Sequence, residues 1–141
     1  MDKRVILNKM LRLHSMKIRR ATSKDFPAIV ELIEEHPQRL LQKNLPRASA
    51  FFVAVESGTI VGCCALEVYS KRLAEIRSLA VTKKFQGKGI AHALIQSCLK
   101  LAKKKNVYEV LSITGASGLF EKYGFGTFNR ERFALIKILG N

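Results

Sequence analysis

No run of about eighteen apolar residues occurs anywhere in the 141-residue chain, which excludes a membrane-spanning helix and points to a soluble protein. Acids are scarce. Asp and Glu number 11 against 25 Lys and Arg, a formal charge of +14 that would attract nucleic acid, an acidic protein or a phosphorylated cofactor without choosing among them. The cations are scattered rather than gathered into one tract, so most read as a solvated surface. The three cysteines, Cys63, Cys64 and Cys98, lack metal-ligand spacing, and strand neighbours such as Cys63 and Cys64 point to opposite faces and cannot pair. Buried free thiols in a reducing cytoplasm are expected. His14, His36 and His92 have no ligand spacing either, so no metal site is expected. Residues 1–15 lack the long apolar core of a secretory signal and the serine richness of a transit peptide, and they read as a basic extension ahead of one domain over 16–141.

What is present suits that single domain: 48% of the residues are apolar. A strand is expected over Lys17 to Arg20, and Thr22-Ser23-Lys24-Asp25 has the pattern of a helix entry. Phe26, Ile29, Val30, Leu32 and Ile33 then recur at helical spacing up to His36-Pro37. Gln38 to Ser49 reads as a loop or short helix interrupted at Pro46. Ala50 to Glu56 and Ile60 to Tyr69 form a hairpin around Ser57-Gly58-Thr59. A further strand over Ala74 to Val81 leads into a glycine turn, and Ile90, Ala91, Leu94, Ile95, Cys98, Leu99 and Ala102 mark one face of the helix after it. Val107 to Thr114 returns as a strand, Ser117 to Tyr123 as a short helix, and Phe133 to Leu139 as a closing strand.

A strand that runs into a glycine turn and then a helix leaves backbone N–H groups at the helix start without intrahelical partners. Side chains at Gly87 or Gly89 would hold that backbone away from a phosphate, and Lys83, Lys84 and Lys88 make the surroundings positive. On this physics the turn Gln86-Gly87-Lys88-Gly89-Ile90-Ala91 is a phosphate cradle of unspecified kind, and a purely structural turn accounts for it equally well. The Gly-x-x-x-x-Gly-Lys-Ser/Thr pattern is absent, and the dinucleotide pattern lacks its third glycine and falls too late in the chain.

The segment resembles the cofactor motif of the GNAT acetyltransferases, Gln/Arg-x-x-Gly-x-Gly/Ala, filled here by Gln86, Gly89 and Ala91. Ala74-Glu75-Ile76-Arg77-Ser78-Leu79-Ala80-Val81 is similar to that family's fourth strand, and Leu119 to Phe125 to its late helix and turn. The resemblance runs from Lys17 to about Leu139; within the family, Ala74 to Val81 and Leu45-Pro46-Arg47 look most like the N-acetylglutamate synthase type. It implies an α/β fold: a mixed, mostly antiparallel sheet with a central parallel strand pair splayed at a bulge, flanked by helices. It also implies an acetyl-CoA-dependent N-acetyltransferase acting on a primary amine, of a small molecule or amino acid. A protein or aminoacyl-tRNA acceptor and a non-catalytic acyl-CoA-binding module are the alternatives. A homodimer is allowed and no membrane is involved.

The resemblance assigns roles residue by residue. Backbone groups of Leu79, Ala80 and Val81 would pair with pantetheine, with the Leu79 N–H donating to the thioester carbonyl, while Gln86 to Ala91 hold the diphosphate. Glu75 falls at the family's glutamate base, needed because an ammonium group cannot attack until it loses a proton. The competing account pairs Glu75 with Arg77, two residues on and on the same face. Phe120 takes the place of the family's thiolate-protonating tyrosine and has no proton to give. Ser117 stands where an asparagine often contacts pantetheine, and serves equally well as a helix N-cap. Arg47 and Arg77 are candidates to clamp a substrate carboxylate or are solvated cations.

Overall fold

The computed structural model describes residues 2–7, 16–127 and 135–140. After a short helical segment over residues 3–7 come β1 (Met16–Arg20), α1 (Phe26–Glu34), β2 (Phe51–Glu56), β3 (Thr59–Val68) and β4 (Leu73–Val81). α2 (Ile90–Lys104), β5 (Glu109–Leu111) and α3 (Ser117–Glu121) follow. The strands form one five-stranded sheet in sequence order, antiparallel except for the parallel β4–β5 pair.

Local chemistry accounts for these elements. Ahead of α1 the Asp25 carboxylate accepts the Thr22 N–H at 2.7 Å and two hydrogen bonds from the Arg19 guanidinium, at 2.7 and 3.0 Å. That fixes the chain where it turns from β1 into the helix, and Pro27 suits the first turn, where its missing N–H has no partner to lose. The β2–β3 hairpin has a two-residue turn with Ser57 at φ +48° and Gly58 at φ +79°, the left-handed pair that matches the twist of its strands.

The sheet has a core on each face. α1 brings Ile29, Leu32 and Ile33 against Phe51, Val53, Cys63 and Ala80. α2 brings Ile90, Leu94, Ile95 and Cys98 against Ala54, Cys64, Leu66 and Ile76. Each fully buried aliphatic side chain contributes about 1.5–3 kcal/mol relative to exposure. Cys63 and Cys64 do fall on opposite faces, and all three cysteines are free and buried. Gly62 lets β3 approach α2: a Cβ there would stand 2.9 Å from Ile90 Cγ2 and 3.1 Å from Leu94 Cδ1.

Two irregularities open the sheet at one end. Cys63 pairs with Ala80 but Ala65 pairs with Arg77, so β4 holds one residue more than β3 over this stretch. The extra residue is a bulge at Ser78, held at φ +56°. On the other side, β5 pairs with β4 only from Leu73 to Glu75, and a hydrogen bond from Ser112 Oγ to the Ile76 carbonyl, 3.2 Å long, is the last link. Past it the two strands separate.

The parallel pair therefore lies at an edge of the described sheet, not at its centre, and the return strand expected over Val107 to Thr114 is shortened to Glu109–Leu111 by that separation. The closing strand expected over Phe133 to Leu139 is not found: residues 135–140 have no regular structure, and Phe133 and Ala134 lie outside the described residues.

Candidate active site

The turn between β4 and α2 holds Gly87 at φ +74° and Gly89 at φ +83°, conformations that an L side chain adopts only under strain. Beyond the adjoining residues of the turn, no atom of the described residues lies within 4 Å of where either Cβ would be, so the space beside both glycines is open. The N–H groups of residues 87–92 meet no acceptor among the described residues. Gly89 is the N-cap of α2, so these amides add to the positive end of a 15-residue helix. Lys83 and Lys84 stand exposed on the preceding turn, and Lys88 Nζ lies 4.8 Å above the Phe85 ring. The arrangement fits a diphosphate: unpaired donors, room beside them and cations at the rim.

This turn is one wall of a cleft of about 350 Å³. Of the residues expected to hold the cofactor, Leu79, Ala80, Val81, Gln86, Gly87, Gly89, Ile90 and Ala91 all line it. Lys88 stays outside. Gln86 Nε2 donates to the Val81 carbonyl at 3.0 Å and so ties the turn to the end of β4. His36, Arg39, Leu40, Phe85, His92 and Leu119 complete the walls, and nothing in the sequence pattern pointed to the first three. The His36 ring nitrogen Nε2 lies 3.1 Å from the same Val81 oxygen, which brings the chain after α1 across the cleft.

Two expected residues are elsewhere. Phe120 is buried and packs edge-on against Phe125, ring centroids 5.2 Å apart, so it belongs to the core and does not line the cleft. Ser117 is exposed, and neither of its proposed roles is seen: it does not line the cleft, and the N-cap of α3 is Ala116. Tyr123 is the hydroxyl that reaches the cleft wall, 3.0 Å from His92 Nδ1.

Glu75 and Arg77 share the α1 face of β4 beyond the bulge, but they do not pair with each other. Arg77 Nη1 binds Glu67 Oε2 at 3.0 Å, and its Nη2 donates to the Asn44 carbonyl at 3.3 Å. Glu75 Oε1 instead accepts from the Tyr69 hydroxyl at 2.5 Å. The ion pair expected between Glu75 and Arg77 is thus replaced by a cross-strand pair, because Glu67 on β3 faces this stretch of β4. Arg47 is exposed, at the N-cap of the 3-10 turn Ala48–Ala50 that leads into β2. Glu75 is four residues from Leu79, about 13 Å along an extended strand, so it does not line the cleft itself.

The family model described as the acetyltransferase (GNAT) family matches residues 16–125. The chain belongs to this family. Among its relatives, an uncharacterised N-acetyltransferase from Chlorobaculum tepidum is 34% identical over 122 residues, covering 82% of this chain and 79% of the relative. An amino-acid acetyltransferase from Mycobacterium tuberculosis is 35% identical over 116 residues, covering 77% and 67%. A Mycobacterium tuberculosis protein solved with bound CoA superimposes with a TM-score of 0.75 at 34% identity, over 79% of this chain and 72% of that one. The GNAT chain is an enzyme of the acetyl-CoA-using acetyltransferase class. The glycine turn and the open edge of β4 are the parts of this GNAT fold that suit such a carrier, a thioester on a long polar arm ending in phosphates. No helix among the described residues is long and apolar enough to cross a membrane.

Proposed function

We propose that this GNAT enzyme acetylates the α-amine of an amino acid. The observation that carries the reading is the placement of Glu75 and Arg77 on one face of β4, immediately beyond the bulge that exposes the strand edge at Leu79 to Val81. The amino-acid acetyltransferase among the relatives supports it, as does an N-acetylglutamate synthase from Neisseria gonorrhoeae solved with coenzyme A and L-arginine. That structure matches with a TM-score of 0.72 at 26% identity, over 85% of this chain and 29% of that one.

In this reading the N–H groups of residues 87–91 hold the diphosphate, and the backbone of Leu79, Ala80 and Val81 takes the arm. The Leu79 N–H donates to the thioester oxygen, where negative charge builds up during attack. Glu75 removes the proton that the attacking ammonium must shed, through a water chain, since about 13 Å of strand separates it from Leu79. Arg77 has five N–H donors and spends two on Glu67 and Asn44; the others, with Arg47, remain for a substrate carboxylate. With no proton available from Phe120, the thiolate departs without that residue's help, which a thiol of ordinary acidity, about 8.5, permits.

Free CoA release, measured with acetyl-CoA against a panel of amino acids, their amides and polyamines, tests the reading. Amino acids with a free carboxylate should turn over fastest, and Arg77→Gln should raise their KM while leaving that of the amides unchanged. Acetylation of a peptide or an aminoacyl-tRNA with none of the small amines would give the acceptor role to a macromolecule, and binding of acetyl-CoA without any transfer would overturn the catalytic assignment of Glu75.

A further inference from the structure

The Tyr69 hydroxyl stands between two carboxylates, 2.5 Å from Glu75 Oε1 and 3.0 Å from Glu67 Oε2. It carries one hydrogen and can satisfy only one of them. Glu67 Oε2 already receives Arg77 Nη1 at 3.0 Å and is charge-compensated, whereas Glu75 has no cationic partner among the described residues. The hydrogen therefore goes to Glu75, in the shorter contact.

The position of Tyr69 is not accidental. It is the first residue after β3, its N–H donates to the Leu73 carbonyl at 3.0 Å, and the Ser70 hydroxyl accepts the N–H groups of Arg72 and Leu73 at 3.1 Å each. That turn holds the ring over the cross-strand pair Glu67 and Glu75. The phenol itself is pushed above its usual acidity range, first by loss of water around it and then by the Glu75 and Glu67 carboxylates, so it keeps its hydrogen throughout the working pH range.

We infer that Tyr69 is a positioning residue of the reaction: it pins Oε1 of Glu75 and leaves Oε2 as the oxygen that takes the proton. The inference rests on the reading of Glu75 as the base. Oε2 of Glu75 accepts no hydrogen bond from the described residues, which leaves it free for water. The charged groups facing Glu75 across the sheet are Glu67, its partner on β3, and Arg77 on β4; on β5 the nearest is Glu109, in register with Leu73 and held by Arg72 at 3.4 Å. A donor that holds one carboxylate oxygen fixes the direction of the other, so removing it lets the carboxylate swing out of line with the water that carries the proton.

The experiment is steady-state kinetics on the full chain, with acetyl-CoA and the fastest acceptor of the panel, for Tyr69→Phe, Glu75→Gln and the double variant. Tyr69→Phe should lower kcat about ten- to a hundredfold, the loss of one charge-assisted hydrogen bond, with the KM for acetyl-CoA unchanged. Added to Glu75→Gln, it should lower kcat no further, because it acts through that carboxylate. A kcat that Glu75→Gln leaves intact removes the base and this inference with it. A kcat that Glu75→Gln lowers and Tyr69→Phe leaves in place overturns the inference alone. Since Tyr69 is exposed at 55%, the variant should fold, and its unchanged affinity for CoA would show that it has.

Discussion

Tyr123 Oη lies 3.0 Å from His92 Nδ1 and 3.1 Å from the carbonyl oxygen of the same histidine. A carbonyl only accepts, so the hydroxyl hydrogen goes there, and Nδ1 must be the donor to the hydroxyl oxygen. His92 thus meets the cleft with Nε2 as its available nitrogen, and its ring is fixed at the third position of α2. Tyr123→Phe should weaken CoA binding about three- to tenfold by calorimetry, the scale of one lost hydrogen bond. Equal affinities for the two proteins would mean that the pair serves packing alone.

Asp25 anchors the entry to α1, and the Arg19 guanidinium, then the Thr22 N–H, hold its carboxyl well below the usual carboxylate range. A depressed folded-state value means that the contribution to stability is complete above the unfolded value of about 3.9 and fades as pH falls below it. Arg19 is half exposed, so the cap matters more than the ion pair. Asp25→Asn is expected to cost about 0.5–2 kcal/mol in urea titrations at neutral pH. The difference from the parent should shrink near pH 3; an equal deficit at both pH values would show that the charge is irrelevant.

Gly62→Ala introduces a methyl group 2.9 Å from Ile90 Cγ2 and 3.1 Å from Leu94 Cδ1. Both neighbours are side-chain ends and can shift a little, so the expected loss is about 1–3 kcal/mol. Ile90 opens α2 directly after the glycine turn, and CoA affinity should fall along with the melting temperature. A variant that melts with the parent would mean that β3 and α2 are less closely seated than described.

Burial pushes the Cys63 thiol up to about 12, and Cys64 is raised by its contact with Cys98, 3.7 Å away, and by burial. The thiolate is the reactive form, so the folded enzyme should be inert to a thiol reagent at pH 8. The same reagent should count three thiols after denaturation. Fast labelling of the native protein would place one of them at the surface.

Features governed by neighbours in sequence could be read from the chain alone. The apolar spacing from Ile90 to Ala102 marks α2, Gly58 marks the hairpin, and the β4–glycine turn–α2 unit was legible together with most of the cleft lining it provides. Features decided by distant partners were not. The bulge falls at Ser78, next to Leu79, and which residue carries it depends on how many residues β3 sets opposite β4. Phe120 was expected at the cofactor, yet Phe125 draws its ring into the core. His36 enters the cleft only because the segment after α1 returns to the Val81 carbonyl, a contact spanning 45 residues. Glu67 and Tyr69 carried no signal, since only the β3–β4 register brings them to Glu75 and Arg77.

The close seating of β3 on α2 at Gly62 has a consequence for where the cleft can be reshaped. Strand and helix meet there with no room for a methyl group, so a change on that side must move Ile90 or Leu94. The facing wall is different in kind: His36, Arg39 and Leu40 sit on irregular chain, tied to β4 by the His36 contact at Val81 and by the Thr82 hydroxyl donating to Glu35 at 3.2 Å, with Leu40 against the core. Substitutions on that side are therefore the ones that can alter the shape of the cleft and leave the phosphate seat untouched.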